Sequence, residues 1–279
     1  MPAGKRLVRQ WLTRGALAAA LAAVIAPGAR AAGPGAPRPV NPFGTAAIRA
    51  FLGSRSGDVT AAVENLGTDR TYLWNPRVAE HTASIVKVDI LETLLHQLHG
   101  APIPPSVAAT AQGMIENSNN DDATDLWNRV GGAPAVAAYD RLVGMNQTTP
   151  NSAWGLTTTT PRDQILLLRQ LVLGGDLLDP GARDYELSLM EHVEADQDWG
   201  VSGGVPAGAV VALKNGWLPL PGQGWQVNSI GWIHGEHRDY LLAIMTGGDP
   251  SEAYGIDTIQ GVASLVWRDL REQKVARRG

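Results

Sequence analysis

A serine and a lysine stand three residues apart in the stretch HTASIVKVDILETLL, which covers residues 81–95. The apolar residues of this stretch recur at spacings of three and four, and that pattern predicts a helix. Residues i and i+3 of a helix share one face, so Ser84 and Lys87 are expected to point the same way. An ammonium group is costly to bury unless it is paired or loses its proton. Lys87 is therefore either a lysine that extends its head to water or a base beside a nucleophilic serine.

The scarcity of lysine favours a chemical role for two positions. Four of the 23 basic residues are lysines, and two of these, Lys5 and Lys274, lie near the ends of the chain. Arginine keeps its proton in proteins, whereas a buried lysine can lose it. Lys87 and Lys214 are therefore candidates for positions where the chemistry requires lysine.

Lys214 begins the tetrapeptide KNGW at the end of a predicted strand. A glycine inside a strand often marks the close approach of a ligand or of another backbone. Asn215-Gly216 is also a common hairpin signal, so this motif has two interpretations when it is taken alone.

A third motif lies in MIENSNNDDATDLW, residues 114–127. Ser118, Asn119 and Asn120 fall between two helical stretches, where serine and asparagine also serve as turn and capping residues. Taken alone, this motif is interpreted as a cap more readily than as part of a site.

The elements around these motifs predict an α+β fold. A first helix is expected over residues 46–54, a hairpin over 58–76 with its turn at 67–69, and a helical block over 84–194. Three strands are predicted at 210–217, 225–233 and 240–246, with Pro219 and Pro221 in the first connection, and a last helix at 255–273. Two early and three late strands make a five-stranded antiparallel sheet, flanked by the terminal helices and a helical lobe.

The first residues resemble a secretory signal peptide. Residues 1–31 contain five basic side chains, a short apolar run and the small-residue site Ala29-Arg30-Ala31. We expect a signal peptide at 1–31, a linker at 32–44, the folded domain at 45–274 and a charged tail at 275–279. The mature protein would be secreted or extracytoplasmic, and without cysteine the sequence offers no thiol for a lipid anchor.

Composition excludes several classes of function. The chain has 279 residues, of which 44% are hydrophobic, enough for a packed core, and it has no cysteine for disulfides, thiolate metal sites or thiol catalysis. Loss of residues 1–31 would move the formal charge from −4 to −9, which disfavours nucleic acids and anionic membranes as partners.

No nucleotide-binding glycine loop is visible in the sequence. His96 and His99 have a spacing that could suit a metal, but they are interpreted as helix-end residues. We expect a monomer without cofactor or metal.

In this order, Ser-x-x-Lys, Ser-x-Asn and Lys-x-Gly form the motif set of class A β-lactamases and penicillin-binding proteins. The sequence resembles that family, and class A most closely, over about residues 46–267; its threonine-rich stretch LTTTTPRDQILLLRQLV adds to the likeness. The resemblance implies the β-lactamase/transpeptidase-like fold and a small-molecule substrate, a β-lactam or a peptidoglycan-like amide.

The resemblance also implies a role for each motif residue. Ser84 would be the nucleophile, Lys87 its base, and Ser118 the proton relay to the leaving nitrogen. Lys214 would lower the pKa of Lys87 and help to hold a substrate carboxylate. The backbone N–H groups of Ser84 and Trp217 would form the oxyanion hole.

Four positions are expected to bind substrate on the same grounds. Asn120 would hydrogen-bond the acyl side chain, and Asn215 would hold the carboxylate together with Lys214. Gly216 and Trp217 complete the strand beside the substrate.

The sequence departs from the family pattern at several places. Asn119 replaces the usual aspartate, Asn215 replaces threonine or serine, and no arginine occurs between Arg183 and Arg238. Gly155 falls where class A enzymes have the deacylating glutamate, and most of that loop is missing. Glu116 is not expected to replace the glutamate, because it lies about 200° around the helix from Ser118.

Three functions are therefore compatible with the sequence. The first is a secreted serine hydrolase of the β-lactamase type with slow deacylation. The second is a cell-wall D,D-peptidase or related amidase. The third is a penicillin- or peptidoglycan-binding protein that retains the fold without turnover.

Overall fold

Strands from both ends of the chain form one antiparallel sheet in the computed structural model, which describes residues 40–270. The predicted signal peptide, residues 32–39 of the predicted linker and the charged tail lie outside the described residues. The seven strands of the described part are β1 (Asp58–Asn65), β2 (Arg70–Trp74), β3 (Glu80–His81), β4 (Thr158–Thr159), β5 (Val210–Leu220), β6 (Gly224–Gly235) and β7 (Arg238–Asp249). The main sheet has the order β2-β1-β7-β6-β5, while β3 and β4 form a small separate ladder.

Eight α-helices surround the sheet in the described residues. They are α1 (Ala46–Gly53), α2 (Val86–Leu98), α3 (Pro105–Glu116), α4 (Asn120–Val130), α5 (Gly132–Val143), α6 (Pro161–Leu173), α7 (Pro180–Glu191) and α8 (Glu252–Asp269). The predicted α+β architecture, with a five-stranded antiparallel sheet and a helical lobe, is confirmed. Among these residues no helix has both the length and the apolar character needed to cross a membrane.

The alternation of side chains along the strands produces two hydrophobic cores. On β7, Leu241 and Ala243 face the helical lobe, while Leu242 and Ile244 face the layer formed by α1 and α8. All four side chains are buried because the sheet lies between helices on both faces. The sheet therefore separates the helical lobe from the terminal helices.

Several element boundaries differ by a few residues from the sequence prediction, and two of the differences have a clear physical reason. Pro219 lies inside β5, opposite Trp225 of β6, and not in the connection after it. β5 is an edge strand, and an edge strand tolerates proline because the missing N–H can face away from the sheet. The last helix begins at Glu252, behind the capping residue Ser251, a few residues earlier than predicted.

The packed domain also begins earlier than predicted. Residues Pro42–Gly44, assigned to the linker, form a short 3-10 turn capped by Asn41. Phe43 is 2% exposed and belongs to the core between the sheet and the terminal helices. A single buried aromatic side chain thus attaches the end of the linker to the domain.

Helix α2 runs through the middle of the helical lobe and is buried on every side from Val86 to Leu95. Its buried residues include Asp89 and Glu92, which lie near Asp140 of α5 and Glu186 of α7. These four carboxyl groups, here called the acid cluster, are each at most 2% exposed. Burial, followed by the charges of the neighbouring carboxyl groups, raises the pKa of Asp89 well above its ordinary value.

Candidate active site

Ser84 lies in a 3-10 turn, Ala83–Ile85, that leads directly into α2. Lys87 follows in the first turn of α2, so the predicted helix and its Ser-x-x-Lys spacing are present. Ala83 has φ +46°, a left-handed conformation that non-glycine residues rarely adopt. A strained residue directly before the serine indicates that the surrounding structure fixes this turn.

Two contacts from the sheet fix the Ser84 turn. The Asn228 amide of β6 donates to the carbonyl of His81 at 2.8 Å and to that of Thr82 at 3.0 Å. Gly216 of β5 approaches even more closely, since a Cβ at residue 216 would lie 2.5 Å from the Ser84 nitrogen. The glycine of the Lys-x-Gly motif is therefore required by backbone contact, one of the two interpretations that the sequence allowed. The hairpin interpretation of Asn215-Gly216 is wrong, because both residues lie inside β5.

The small ladder fixes the same turn from the other side. The Thr82 N–H donates to the Thr157 carbonyl at 2.8 Å, and β3 pairs with β4 immediately beside it. Thr160 then caps the start of α6 through its hydroxyl. The threonine-rich run thus connects the turn that carries Ser84 to the next long helix.

The amine of Lys87 lies at the centre of a hydrogen-bond network. It donates to the carbonyl of Ser118 at 2.6 Å, to the hydroxyl of Ser118 at 3.1 Å and to Oδ1 of Asn120 at 2.8 Å. The side chain is fully buried, so Lys87 does not extend its head to water. Within residues 40–270, no hydrogen bond joins Lys87 to Ser84, which remains partly exposed.

Ser118 connects the two lysines. Its hydroxyl lies 3.1 Å from the amine of Lys87 and 3.0 Å from that of Lys214. Ser118 has φ +54°, a second left-handed non-glycine residue in the site. The next residue, Asn119, is the N-cap of α4, and its Oδ1 accepts from the N–H groups of Asp121 and Asp122. The capping interpretation thus applies to Asn119, while Ser118 contacts both lysines.

Burial changes the acid–base properties of both lysines. It lowers the pKa of Lys87 to about 7, and Asp122 opposes that shift. Burial, followed by the charge of Lys87, lowers the pKa of Lys214 well below its ordinary value. Two amines that share one hydroxyl in a buried site disfavour each other's protonation. A neutral, basic lysine is therefore accessible near neutral pH.

Asn215 was predicted to bind substrate, but its side chain does not face the site. Its side chain is fully buried and donates to the carbonyls of Gln197 and Trp199 at 2.6 and 2.9 Å. Side chains of successive strand residues point to opposite faces, and the amine of Lys214 occupies the face toward Ser118. The expected pairing of Asn215 with Lys214 around a carboxylate is therefore not present.

A cleft of about 330 Å³ opens over Ser84. Gly155 lies in its wall, and a Cβ there would be 3.9 Å from the Cα of Ala83. Nine described residues line the cleft, and none of them is acidic. They are Ala83, Ser84, Asn120, Ala153, Trp154, Gly155, Leu156, Trp217 and Leu218.

Two residues of the site were not singled out from the sequence. Trp154 lies with its ring 5.1 Å from the amine of Lys87, and its indole N–H donates to Thr124 at 3.2 Å. Asn228 fixes the Ser84 turn, as described above. A polar residue in the middle of a predicted buried strand was the available signal for Asn228, whereas nothing in the local sequence distinguished Trp154 from a core tryptophan.

The remaining predicted positions lie away from the cleft. His96 bonds the carbonyl of Leu177 through Nδ1, and His99 occupies the C-cap of α2. Glu116 accepts from Gln112 on its own helix, which agrees with its exclusion as a base. Within residues 40–270 no group of three or more His, Cys, Asp or Glu side chains is arranged to hold a metal ion.

The chain matches known proteins over most of the described region. Residues 101–270 match the model of the beta-lactamase enzyme family, Beta-lactamase2. Among curated proteins, "Putative lipoprotein LppW" of Mycobacterium tuberculosis and its counterpart of Mycobacterium bovis are 30% identical over 173 residues, covering 58% of this chain and 54% of the relative. The chain thus matches about half the length of these relatives.

Solved structures show the same fold at low sequence identity. A class A beta-lactamase from Bacteroides cellulosilyticus has a TM-score of 0.71 and 17% identity, covering 81% of this chain and 96% of that chain. PBP-A has a TM-score of 0.71 and 19% identity, covering 81% of this chain and 95% of that chain. A mutant of PBP-A, solved as an acyl-enzyme complex with penicillin G, also has a TM-score of 0.71.

Proposed function

The chain belongs to the beta-lactamase enzyme family, and on that basis we propose that it is a serine hydrolase acylated at Ser84. One observation carries this proposal: the hydroxyl of Ser118 lies within 3.1 Å of two buried lysine amines. One of these lysines, Lys87, follows the partly exposed Ser84 by three residues. Buried titratable groups with strongly shifted pKa values cluster at functional sites, so two such lysines around one hydroxyl support a role in proton transfer.

In the proposed acylation, Ser84 Oγ attacks the carbonyl carbon of an amide, a β-lactam or an ester. The bond from that carbon to the leaving nitrogen or oxygen breaks, and the Ser84 proton passes to neutral Lys87. Lys87 must turn toward Ser84, or a water must connect them, because its amine bonds Ser118 and Asn120 in the structure. Catalytic hydrogen bonds are often completed only when substrate is bound.

The leaving group then needs a proton. Lys87 can supply it through the Ser118 hydroxyl, 3.1 Å away, and Lys214 on the far side of that hydroxyl helps to orient it. The backbone N–H groups of Ser84 and Trp217 are proposed to stabilise the oxyanion. The close approach of β5 to the Ser84 turn at Gly216 supports this assignment.

Deacylation is proposed to be slow. Water must attack the acyl carbon and release Ser84 Oγ, and this step needs a base beside the ester. The lining of the cleft includes Gly155 and no carboxylate. General-base assistance is typically worth ~10²–10⁴-fold in rate, so an acyl-enzyme should accumulate.

The absence of a carboxylate from the lining of the cleft also favours the acyl-trapping alternative, in which the protein binds penicillin or peptidoglycan without rapid turnover. The other alternative, a D,D-peptidase or amidase, would use the same residues as the proposed hydrolase.

Labelling of Ser84 tests the proposal directly. A fluorescent penicillin or an activated ester should label the wild type and not Ser84→Ala. Lys87→Arg should also fail to label, because a guanidinium cannot accept the proton. Equal labelling of wild type and Ser84→Ala would exclude the serine mechanism, and a folded wild type that takes no label would favour the binding-protein alternative.

Intact mass measured over time tests the slow deacylation. A chromogenic cephalosporin should give a burst of about one equivalent per protein and then a slow steady state, with the adduct visible by mass. A fast steady state with no adduct would mean that another base replaces the glutamate, with Lys87 the first candidate.

Export to the cell envelope is proposed from the first residues of the sequence. The signal-like layout of residues 1–31 supports it, as does the match to a protein named as a lipoprotein. The mature chain should begin at Ala32 or within a few residues of it. Recovery of Met1 or Pro2 by N-terminal sequencing of the secreted fraction would contradict the proposal.

A further inference from the structure

Trp154 lines the cleft and also lies close to the amine of Lys87. The centre of its ring is 5.1 Å from that amine. Trp154 is partly exposed, whereas Lys87 is fully buried and does not line the cleft. A ring this close to a buried amine takes up space beside it that solvent from the cleft would otherwise fill.

Hydrogen bonds connect Trp154 to the helix that carries the partners of Lys87. The indole N–H donates to the hydroxyl of Thr124 at 3.2 Å, and that hydroxyl donates to the carbonyl of Asn120 at 2.9 Å. Asn120 is also the residue whose Oδ1 accepts from Lys87. The segment between α5 and α6, which carries Trp154, is therefore joined to the start of α4 beside the proposed base.

The backbone of Trp154 is connected to the Ser84 turn as well. Trp154 begins the short 3-10 turn Trp154–Leu156, and its carbonyl accepts from the Thr157 N–H at 3.0 Å. The Thr157 carbonyl accepts in turn from Thr82, two residues before Ser84. The position of the ring is thus set from both sides of the site, by α4 and by the Ser84 turn.

The charged groups that act on Lys87 oppose one another. Asp122 of α4 favours the protonated amine, and Lys214 of β5 disfavours it. Residues 150–160, which include Trp154, contain no titratable side chain, and Asp89 of α2 belongs to the acid cluster. Burial is the largest cause of the lowered pKa of Lys87. A group that keeps water from the amine therefore increases the fraction of neutral amine near neutral pH.

We propose that Trp154 is a positioning residue, which excludes solvent from the amine of Lys87 and keeps that amine against Ser118 and Asn120. This inference rests on the proposed role of Lys87 as the base for Ser84 and adds a residue to that mechanism. Trp154 acts through Lys87 and takes no part in proton transfer. A ring near an ammonium also favours the charged form, so the exclusion of water and the contact with the cation have opposite effects that an experiment can separate.

The small number of lysines permits a direct test. The sequence contains four, so full-length protein made with isotopically labelled lysine gives few NMR signals, and Lys87→Arg identifies that of Lys87 by its loss. The titration midpoint should lie at about pH 7 in the wild type. It should lie about one pH unit or more higher in Trp154→Ala, because water then reaches the ammonium. Trp154→Phe retains an aromatic ring and should raise the midpoint less than Trp154→Ala does.

The pH dependence of acylation supplies a second readout. The labelling rate of Trp154→Ala should level off at a higher pH than that of the wild type and should be about tenfold lower at about pH 6. Leu156→Ala is the matched control, since Leu156 belongs to the same 3-10 turn and also lines the cleft. The midpoint of its pH profile should equal that of the wild type.

Circular dichroism at each pH verifies folding. If Trp154→Ala does not fold, Trp154→Leu replaces it, because leucine fills part of the space of the ring; its midpoint should rise in the same direction. An NMR midpoint that is unchanged or lowered in the folded variant overturns the inference, and a lowered one would mean that contact with the cation dominates. An equal rise in Leu156→Ala also overturns it, because general opening of the cleft would then cause the shift.

The NMR titration does not depend on acylation, so the two proposals can fail separately. If the midpoint of Lys87 rises as expected in Trp154→Ala but the wild type takes no label at Ser84, the proposed acylation fails while the exclusion of solvent by Trp154 stands. If Ser84 is labelled and the midpoint does not rise, only the role of Trp154 is overturned.

Discussion

At the scale of single residues, the tightest constraint on the site lies at Gly216. Its backbone faces the Ser84 turn so closely that a methyl group would meet the Ser84 nitrogen at 2.5 Å and the Ile85 nitrogen at 2.8 Å. These neighbours are backbone atoms, which cannot move aside as a flexible side chain can. The distance between β5 and the backbone of Ser84 therefore depends on the absence of one methyl group.

We predict that Gly216→Ala removes acylation while the protein remains folded. The added methyl group should push the Ser84 turn from β5, at a cost of about 1–3 kcal/mol in the free energy of unfolding, and reduce labelling about 10²-fold or more. Gly155→Ala is the matched control, since its Cβ would meet the Ala83 Cα at an ordinary 3.9 Å. Labelling rates and thermal unfolding check both variants; equal labelling of Gly216→Ala and wild type would contradict the proposed oxyanion hole.

A second prediction concerns the pH dependence of acylation. Burial lowers the pKa of Lys87 to about 7, and the neutral amine is the proposed base. The labelling rate should therefore rise with pH, about tenfold per unit at acidic pH, and level off above about pH 7. Labelling measured from pH 5 to 9, with circular dichroism to verify folding, checks this. A profile that still rises steeply at pH 9 would point to an unperturbed lysine.

The residues of the proposed site were more predictable than their surroundings. Ser84 and Lys87 could be proposed as site residues from their helical spacing, and Ser118 and Lys214 from the order of the motifs. The structure brings Lys87, Ser118 and Lys214 into one hydrogen-bond network. Asn215 could not be placed correctly, because whether its amide faces the cleft or a backbone carbonyl depends on the path of residues 197–199.

At the scale of elements, the start of α4 couples capping to the site. Asn119 caps the helix by accepting from Asp121 and Asp122 at 2.8 and 3.1 Å. Ser118 and Asn120, on either side of it, both bond Lys87. The cap therefore positions the partners of the proposed base.

We predict that Asn119→Ala lowers the free energy of unfolding by about 0.5–2 kcal/mol, as expected for a lost N-cap, and slows acylation. Asn119→Asp is the matched variant, because a carboxylate caps equally well and interacts favourably with the helix N-terminus. It should retain or raise the stability. Urea unfolding of the three proteins measures the difference; unchanged stability in Asn119→Ala would mean that the cap does not fix this junction.

The elements themselves could largely be predicted from hydrophobic periodicity. All five strands of the main sheet were predicted, the hairpin from its alternating pattern and the three late strands as runs separated by glycines, and most of the helix breaks were predicted at glycines. The sheet order and the position of Pro219 could not be predicted, because both depend on which strand becomes the edge. The burial of Phe43 was missed for a similar reason, since its turn, Pro42–Gly44, packs against α8 and β2 as well as against the adjacent α1.

At the scale of the whole molecule, the acid cluster makes the fold sensitive to pH. Burial raises the pKa of Asp140 to about 7, with Asp163 raising it further and Arg141 opposing. Burial likewise raises the pKa of Glu92 and of Glu186 well above their ordinary values. The folded protein thus holds protons that the unfolded chain releases near pH 4.

We therefore predict that stability falls as pH rises. For an acid with a raised folded pKa, the contribution is complete below about pH 4 and is lost as pH rises through the folded value, here about 7 for Asp140. Each such group contributes up to about 1.4 kcal/mol per pH unit. The free energy of unfolding of the wild type should be several kcal/mol higher at pH 5 than at pH 8, as measured by urea unfolding.

The double variant Asp140→Asn/Glu186→Gln isolates this effect, because the amides resemble the protonated acids but do not titrate. Its stability should decrease less between pH 5 and pH 8 than that of the wild type. If the free energy of unfolding of the double variant falls with pH as steeply as that of the wild type, the decrease arises at other groups. Glu80 is one such group, because burial raises its pKa to about 7 as well.

The strand order also has a consequence for biosynthesis. In the pairing of β1 with β7, Ala61 lies opposite Ile244, a separation of about 180 residues along the chain. A ribosome adds roughly 5–20 residues per second, so the early hairpin must wait roughly 10–40 seconds for its partner strand. During that interval the edge of β1 that later pairs with β7 has no strand beside it. Unpaired strand edges promote aggregation. The nascent chain is thus most exposed to misassembly while the helical lobe is being translated.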